Sequence, residues 1–527
     1  MVHKNLEDER GREEKAVFIE NLGTANFEEA ISATKFGRFN LLLILIAIPA
    51  GFSSVFEATT MSYVFPAAQC DLGLDLNNKG LLNAITYIGM MSSGLIWGYL
   101  CDTLGRKKLL YIGFFIDALF VITSSLSQTF TVLMISKFFG GFIINGPFAA
   151  LTTYVSEFHC AKYRARVQMV LGIIFSSATV CLPLLAQFIL PVDINFTILN
   201  NLRIHSWNVY LLVTALPALL AGLIFIFLPE SPKFLMTTGK NDEALAVFQM
   251  VYSMNTGKPG NTFPITKLID ERKNNEHDLN NRNSNKMGGE RHAFKDGWSA
   301  LRPLFIPPLL QNILLVCGLQ MLIMLSLNTL RLWIPQLFQA INDYEYYNNG
   351  TSADLCTMLD VIRPSNETLS KECVVNTNNS QVYINSMIIA AVTVFGYIVA
   401  GSLINILGKK RLLFILGTMG GLSAYILYFA SSTAMTLILA SCYVTVGSIG
   451  VNVMLSVVVD LFPTTLRTMT VSMAMMCGRL GAMSGNLLFP ILLKTGCAAP
   501  FYTIGTVMLS TAFISLFLPN TDMKALQ

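Results

Sequence analysis

Five ionisable residues stand inside long apolar runs of this sequence: Glu57, Asp117, Lys137, Arg331 and Arg479. An uncompensated charge at the middle of a bilayer costs at least about 3 kcal/mol, so each should face a cavity or an opposite charge. Glu57 is the first choice for chemistry, as a carboxylate that binds a cation or carries a proton. The competing reading is a structural ion pair with Lys137 or Arg479. Arg479 stands near the middle of its run in Cys477-Gly-Arg-Leu-Gly481, where small residues leave room for a solute. Arg331 lies towards one end of its run, where a long side chain also reaches the membrane surface. Lys137 and Asp117 read first as packing residues. Tyr87, Trp333 and Tyr443 offer rings that stack on an organic ligand or contact a cation, against a plainer role in packing. No histidine falls within a run, so proton coupling would rest on Glu57 or Asp117.

The elements that must position these residues are helices. Of 527 residues, 53% are hydrophobic and 13% charged, against about 25% charged in an ordinary soluble domain. Runs long enough to span a bilayer, about 20 residues each, fall near 39–63, 80–100, 109–127, 131–154, 167–190 and 207–228. Six more fall near 308–335, 384–405, 411–430, 434–459, 468–490 and 498–518. The expectation is an all-α membrane protein with twelve transmembrane helices. A polar tail (1–38), six helices (39–228), a hydrophilic loop (229–307), six helices (308–518) and a short tail (519–527) make up the chain. The polar start reads the first run as a retained helix rather than a signal peptide.

Two motifs recur at one offset. Gly98-Tyr-Leu-Cys-Asp102-Thr-Leu-Gly105-Arg106-Lys107-Lys108 returns 303 residues later as Gly401-Ser-Leu-Ile-Asn405-Ile-Leu-Gly408-Lys409-Lys410-Arg411. Glu157 and Arg164 return as Asp460 and Arg467 at the same offset. The chain therefore reads as two homologous halves with a central site between them. Gly98 should let helices approach closely, Gly105 should form a turn, and Asp102 should cap the following helix.

Basic residues set the expected orientation. With the N-terminus inside, short inner loops hold ten Lys and Arg and short outer loops hold three, which places both termini in the cytoplasm. The glycosylation sequons beginning at Asn195, Asn349, Asn366 and Asn378 all fall in outer loops. The outer loop 336–383 also carries Cys356 and Cys373, which face an oxidising compartment and are a candidate disulfide. Between the halves, residues 241–255 carry Ala244, Leu245, Phe248, Val251 and Tyr252 on one stripe, predicting an amphipathic helix on the membrane face. Residues 273–292 read as a disordered linker.

Other function classes lack their residues. There is no Walker loop, no His-Glu-x-x-His, no Gly-x-Ser-x-Gly and no EF-hand pattern, and the ten cysteines show no Cys-x-x-Cys spacing. The chain is thus expected to be neither an enzyme nor an ATP-driven pump, with no cofactor, no metal site and no nucleic-acid partner.

The turn at Gly98–Lys108, its second copy, Glu157 with Arg164, Asp460-Leu-Phe-Pro463 with Arg467, and Pro229-Glu-Ser-Pro232 together resemble the major facilitator superfamily. Phe27-Glu-Glu-Ala30 before Phe36-Gly-Arg38, Lys79-Gly-Leu-Leu82, Tyr154-Val-Ser-Glu-Phe158 and His205-Ser-Trp207 are similar to its synaptic vesicle glycoprotein 2 branch, near the organic-ion carriers. There are departures: Thr103 stands where a basic residue is usual, Asn405 where an acidic one is, and Lys137 where arginine is commoner. Ser54 replaces the first of that branch's two acids in helix one, and Val451-Asn-Val-Met-Leu455 keeps only Asn452 of its motif in helix ten. The resemblance implies the major facilitator fold and alternating access by two six-helix bundles, with Asp102 and an Arg106–Glu157 pair acting as gating contacts that hold in the outward-open state and break to open the inside, against a plainer role as topological anchors. It implies a monomer in a plasma or synaptic-type vesicle membrane that carries a small organic solute, an organic ion by its charges, with a proton or cation as coupling partner. The alternative is a non-transporting membrane protein of that branch that acts by binding partners. Glu57, Lys137, Arg331, Trp333, Asn452 and Arg479 are the candidate substrate and coupling residues.

Overall fold

Backbone groups in an apolar run have no water to bond, so each run folds as a helix that satisfies its own donors and acceptors. The computed structural model describes residues 24–198, 202–269, 306–307, 309–348, 353–359, 380–462 and 464–519. The predicted sites Asn349, Asn366, Asn378 and Cys373, and the linker 273–292, lie outside them.

A short strand β1 (Thr24–Ala25) leads to α1 (Phe27–Ala33), which opens on the expected cap: the Asn26 and Glu29 side chains each accept from the other's backbone N–H. The first membrane group then runs α2 (Arg38–Thr59) into α3 (Met61–Ala68), then α4 (Leu76–Leu104), α5 (Arg106–Ser125), α6 (Phe130–Glu157) and α7 (Ala161–Ile189). An antiparallel hairpin of β2 (Asn195–Ile198) and β3 (Leu202–His205) precedes α8 (Ser206–Thr214), which runs into α9 (Leu216–Phe227). Next come α10 (Pro232–Thr237), α11 (Asn241–Thr256) and β4 (Lys267–Leu268). The second membrane group runs α12 (Leu309–Arg331) into α13 (Ile334–Tyr347), then a short α14 (Leu355–Leu359), α15 (Ser380–Leu407), α16 (Lys409–Leu427), α17 (Thr433–Leu461), α18 (Thr464–Thr495) and α19 (Ala498–Ser515).

Among the described residues, eleven of these helices or end-to-end pairs are long and apolar enough to cross a membrane. The 29-residue α4 packs among them without reaching that measure. Asn77, Asn78, Lys79 and Asn83 dilute its first turns.

Two faces emerge from the helix ends. On one, here the near face, Asn40 at the start of α2 donates to the Phe158 carbonyl at the end of α6 (2.9 Å). On the far face, Asn208 of α8 donates to the Ser125 carbonyl at the end of α5 (2.8 Å), and Trp207 donates to Asp71 (2.7 Å). The first group packs around Phe114, Tyr154 and Phe225. The second packs around Val316, Met454 and Val458 near one face and Tyr443 and Phe501 near the other. Small residues bring helices into backbone contact: a Cβ on Gly141 of α6 would stand 2.2 Å from the Thr86 carbonyl oxygen of α4.

The connection between the groups differs from expectation. The apolar stripe of α11 does not lie on a membrane surface; Ala244, Phe248, Val251 and Tyr252 are buried in protein. Phe248 and Tyr252 pack with Phe27, Ile31, Met236 and Phe263, because α1 and the parallel β1–β4 pair cover them. Asn255 fastens this layer to α2, accepting from the Phe39 amide (2.9 Å) and donating to the Lys35 carbonyl (2.8 Å).

The far face corrects the expected disulfide. Cys356 is bonded to Cys497, at the start of α19, rather than to Cys373. The helix α14 packs against Ala430, whose carbonyl accepts from the Leu355 amide (2.9 Å), and this lays Cys356 beside Cys497. Cys70 is also disulfide-bonded. Asn195 is exposed in the β2–β3 hairpin of the same face, as a glycan acceptor needs.

Candidate functional site

A cavity of about 290 Å³ lies between the two groups of helices. Its walls come from α2, α3, α6 and α7 on one side and from α12, α13, α15 and α17 on the other. The first helix of each group is interrupted beside it. Pro335 has no N–H to offer the Arg331 carbonyl, so α12–α13 breaks there, and α2 gives way to α3 at Thr60. Paired interruptions in corresponding helices of two halves are how transporter folds expose polar groups at a central site.

Arg331 is the last residue of α12 and lines this cavity. A cation suits the negative end of a helix, and its side chain leans out of the break. Its charge reaches the hydroxyls of Tyr63, Tyr87 and Tyr397. Asn452 also lines the cavity and donates to the Tyr397 hydroxyl (2.8 Å), which in turn donates to the Ser448 carbonyl (3.0 Å). Ser62 is 2% exposed and lines the cavity, and its hydroxyl has no hydrogen-bond partner among the described residues.

The other expected site residues stand elsewhere. Glu57 and Lys137 form an ion pair at 2.9 Å, both side chains 1% exposed, inside the first group and off the cavity wall. Glu57 rests on Gly140, where a Cβ would meet its Oε1 at 2.3 Å. Asp117 is close enough to feel both charges and accepts from Ser53 (2.8 Å). The three therefore form one buried cluster, with the Glu57–Lys137 partnership that the sequence left as the competing reading. Arg479 is half-buried on α18, near Tyr87 and off the cavity wall. Trp333 is 1% exposed and stacks on Phe489 (4.7 Å) beside Phe65 and Leu76, so it plugs the far side of the cavity. Tyr443 bonds Ser326 within the second group.

The repeated turns also take shape. Gly105 and Gly408 adopt φ of +91° and +77°, which favour glycine. Arg106 lies 3.5 Å from Glu157, and Lys409 pairs with Asp460, so the same bond forms once in each half. Arg164 reaches the Ser156 carbonyl (3.3 Å), the His159 carbonyl (3.2 Å) and Glu28 (2.6 Å), closing the end of α6. The side chains of Asp102, Asn405 and Arg467 lie outside what is described. Two expectations are corrected. Asp102 does not begin α5, because α4 continues to Leu104; the carboxylate at the start of α5 is Glu230, which accepts from the Lys107 amide (2.9 Å). Gly98 and Gly401 are not points of close approach, since a Cβ on either would meet nothing within 4 Å.

Sequence reasoning missed Glu230 and Ser231, whose hydroxyl donates to Glu157, and the cavity residues Ser62, Tyr63 and Tyr397.

The Arg106–Glu157 pair is tighter in its surroundings than its copy. Its side chains are 13% and 7% exposed, against 19% and 35% for Lys409 and Asp460. A solvated pair contributes little, and removing one partner of a buried pair costs more. Arg106→Ala is therefore expected to lower the unfolding temperature in detergent more than Lys409→Ala. Equal shifts would mean that burial does not separate the two copies.

The described hydrogen bonds that join the two groups all lie towards the far face. Lys79 donates to Gln336 (2.9 Å), Gln187 to Ser380 (3.1 Å), and the Tyr87 hydroxyl to Asn328 (3.4 Å). Leu104 and Ile406, at near-face helix ends, are 49% and 77% exposed. The groups are thus sealed to each other on the far side of the cavity.

The Major Facilitator Superfamily profile matches residues 47–365 and 355–526. The chain belongs to this superfamily. Within the superfamily it resembles the synaptic vesicle glycoproteins. Synaptic vesicle glycoprotein 2B of Rattus norvegicus is 29% identical over 330 residues, 61% of this chain and 48% of that protein. Synaptic vesicle glycoprotein 2A of Pongo abelii is 30% identical over 246 residues, 46% of this chain and 33% of that protein. The chain spans about half the length of these curated relatives or less. Among solved structures, the D-xylose-proton symporter superposes with a TM-score of 0.62 at 15% identity, over 93% of this chain and 99% of that one. The E. coli xylose transporter in its inward-open conformation gives 0.62 at 15%, over 92% and 98%. At that identity the likeness shows a shared fold. The protein is a multi-pass integral membrane protein of a transporter superfamily.

Proposed function

We propose that this chain is a secondary active or facilitative transporter that moves a small organic ion by alternating access. It would do so through twelve spanning helices, with both termini and the near face in the cytoplasm. One observation carries the reading: a single cavity walled by both groups of helices, beside the interrupted first helix of each. Sealing on the far side then corresponds to an inward-facing state, and the return stroke would part Lys79 from Gln336 and Gln187 from Ser380; because Arg106–Glu157 and Lys409–Asp460 are paired in this state, they hold the ends of their own half together rather than act as a gate that breaks when the near face opens. Gly98 and Gly401, clear of contact here, would meet neighbours when the near face closes. The Glu57–Asp117–Lys137 cluster holds two carboxylates and one ammonium, so uptake of one proton balances its charge. That stoichiometry makes it the proposed coupling site. Plasma or synaptic-type vesicle membranes are the proposed location, from the resemblance to the vesicle glycoproteins.

Spin labels test the motion without knowledge of the substrate. A near-face pair at Leu104 and Ile406 and a far-face pair at Val192 and Tyr346 should each show two distances. Conditions that shorten one pair should lengthen the other. One fixed distance for both pairs would contradict alternating access and favour a protein that acts through partners.

A further inference from the structure

Arg331 is the one charged residue among those lining the cavity. Among the described residues no carboxylate stands within ion-pair distance of it, whereas Lys137, Arg106, Arg164 and Lys409 each have one. A guanidinium facing a cavity without an anion is an incomplete interaction, and its planar fork of donors matches a carboxylate or sulfonate. Ser62 supplies a second open group, a buried hydroxyl that lines the cavity with no partner among the described residues. It stands in the first turn of α3, just past the break in the first half, as Arg331 ends α12 at the break in the second, so the two groups reach the cavity from the two halves. The remaining surface is mixed: Phe148, Phe175, Leu332, Ile389 and Val444 offer an apolar wall, and the hydroxyl-bearing Ser176, Thr179, Ser386 and Thr393 stand among them. A cation would meet repulsion from Arg331, and a neutral polyol would leave its charge uncompensated.

We infer that the cavity binds a small organic monoanion, its carboxylate or sulfonate held by Arg331 and Ser62 and its apolar body against Phe175 and the facing aliphatic wall. This deepens the transport reading and rests on it for the passage of the ligand, though not for its binding. The Glu57–Lys137 pair satisfies its own charges and leaves the recognition to Arg331.

Benzoate, benzamide and benzylammonium share one ring and differ in charge, so they serve as probes on the purified full-length protein in detergent. Benzoate should raise the unfolding temperature of the wild type, while benzamide and benzylammonium should not. Arg331→Gln should need about ten- to hundredfold more benzoate for the same rise, and Arg331→Lys should recover part of the loss. Ser62→Ala, a smaller change, should weaken benzoate several-fold and keeps the test open if Arg331→Gln does not fold. No response to benzoate, an equal response in Arg331→Gln, or a preference for benzylammonium would overturn the anion site. Labelled benzoate uptake into proteoliposomes is read separately. Binding without uptake would overturn transport and leave the site standing; uptake of benzylammonium instead would overturn the site and leave transport standing.

Discussion

Lys137→Met is expected to prevent stable folding of the first group of helices. It would leave Glu57, 1% exposed at its side chain, as a carboxylate without its cation. Removing one partner of a buried ion pair costs about 3–5 kcal/mol, because the other charge stays desolvated. Glu57 has little freedom to escape, since Gly140 already lies against its Oε1 and the apolar walls of α2 and α6 surround it. Replacing both partners, Glu57→Leu with Lys137→Met, should recover most of the loss, because two apolar side chains need no compensation. Unfolding temperature in detergent and the amount of protein at the cell surface read both effects. A single Lys137→Met variant that folds as stably as the wild type would contradict the structural role, whether or not it still moves solute. Proton coupling would then be the one role left to the pair.

Gly481→Leu should be as damaging by a different route. A Cβ at Gly481 would stand 2.1 Å from the Met321 carbonyl oxygen, and that oxygen belongs to the backbone of α12, which cannot turn aside. The α12–α18 crossing would have to open, and the Gly485 contact with the Leu325 carbonyl one turn further on would open with it. Overpacking of this kind typically costs about 1–3 kcal/mol, and lost packing along two helices adds to it. Because α12 carries Arg331, the same change displaces the cavity wall. Gly401→Ala is the control. Nothing stands within 4 Å of its Cβ position, so alanine should be neutral or stabilise the helix by about 0.5–1 kcal/mol. Similar losses in both variants would mean that the close crossing does not set Gly481 apart, since both changes favour the helix.

The pair of glycines shows what the sequence could and could not say. The spans were legible because hydropathy depends on neighbours in the chain, and the repeat was legible because its two copies share one offset. The turn glycines Gly105 and Gly408 were legible for the same local reason. Gly98 was misjudged because close approach depends on which face of the bundle is sealed, a property of the conformation. The disulfide was misjudged because loop proximity in sequence put Cys356 with Cys373, whereas α14 folds back onto the end of α16 beside Cys497. Asp102 was given the capping role that Glu230 fills from 123 residues away. Among the charges, type and burial were readable but pairing was not. Glu57 has Lys137 for a partner, and Arg331 lines the cavity with no carboxylate beside it among the described residues.

That exchange of roles decides the first experiment on function. Neutralising Glu57 would confuse loss of transport with loss of folding, so Arg331 is the residue to change. The most direct test compares the solutes of intact cells that carry the wild type, Arg331→Gln or no added protein, with surface amounts matched and untargeted mass spectrometry as the readout. The account predicts at least one organic anion accumulated or depleted by the wild type alone, with the Arg331→Gln profile matching that of empty cells. Three indistinguishable profiles, with the wild type folded and present at the surface, would contradict transport through this cavity.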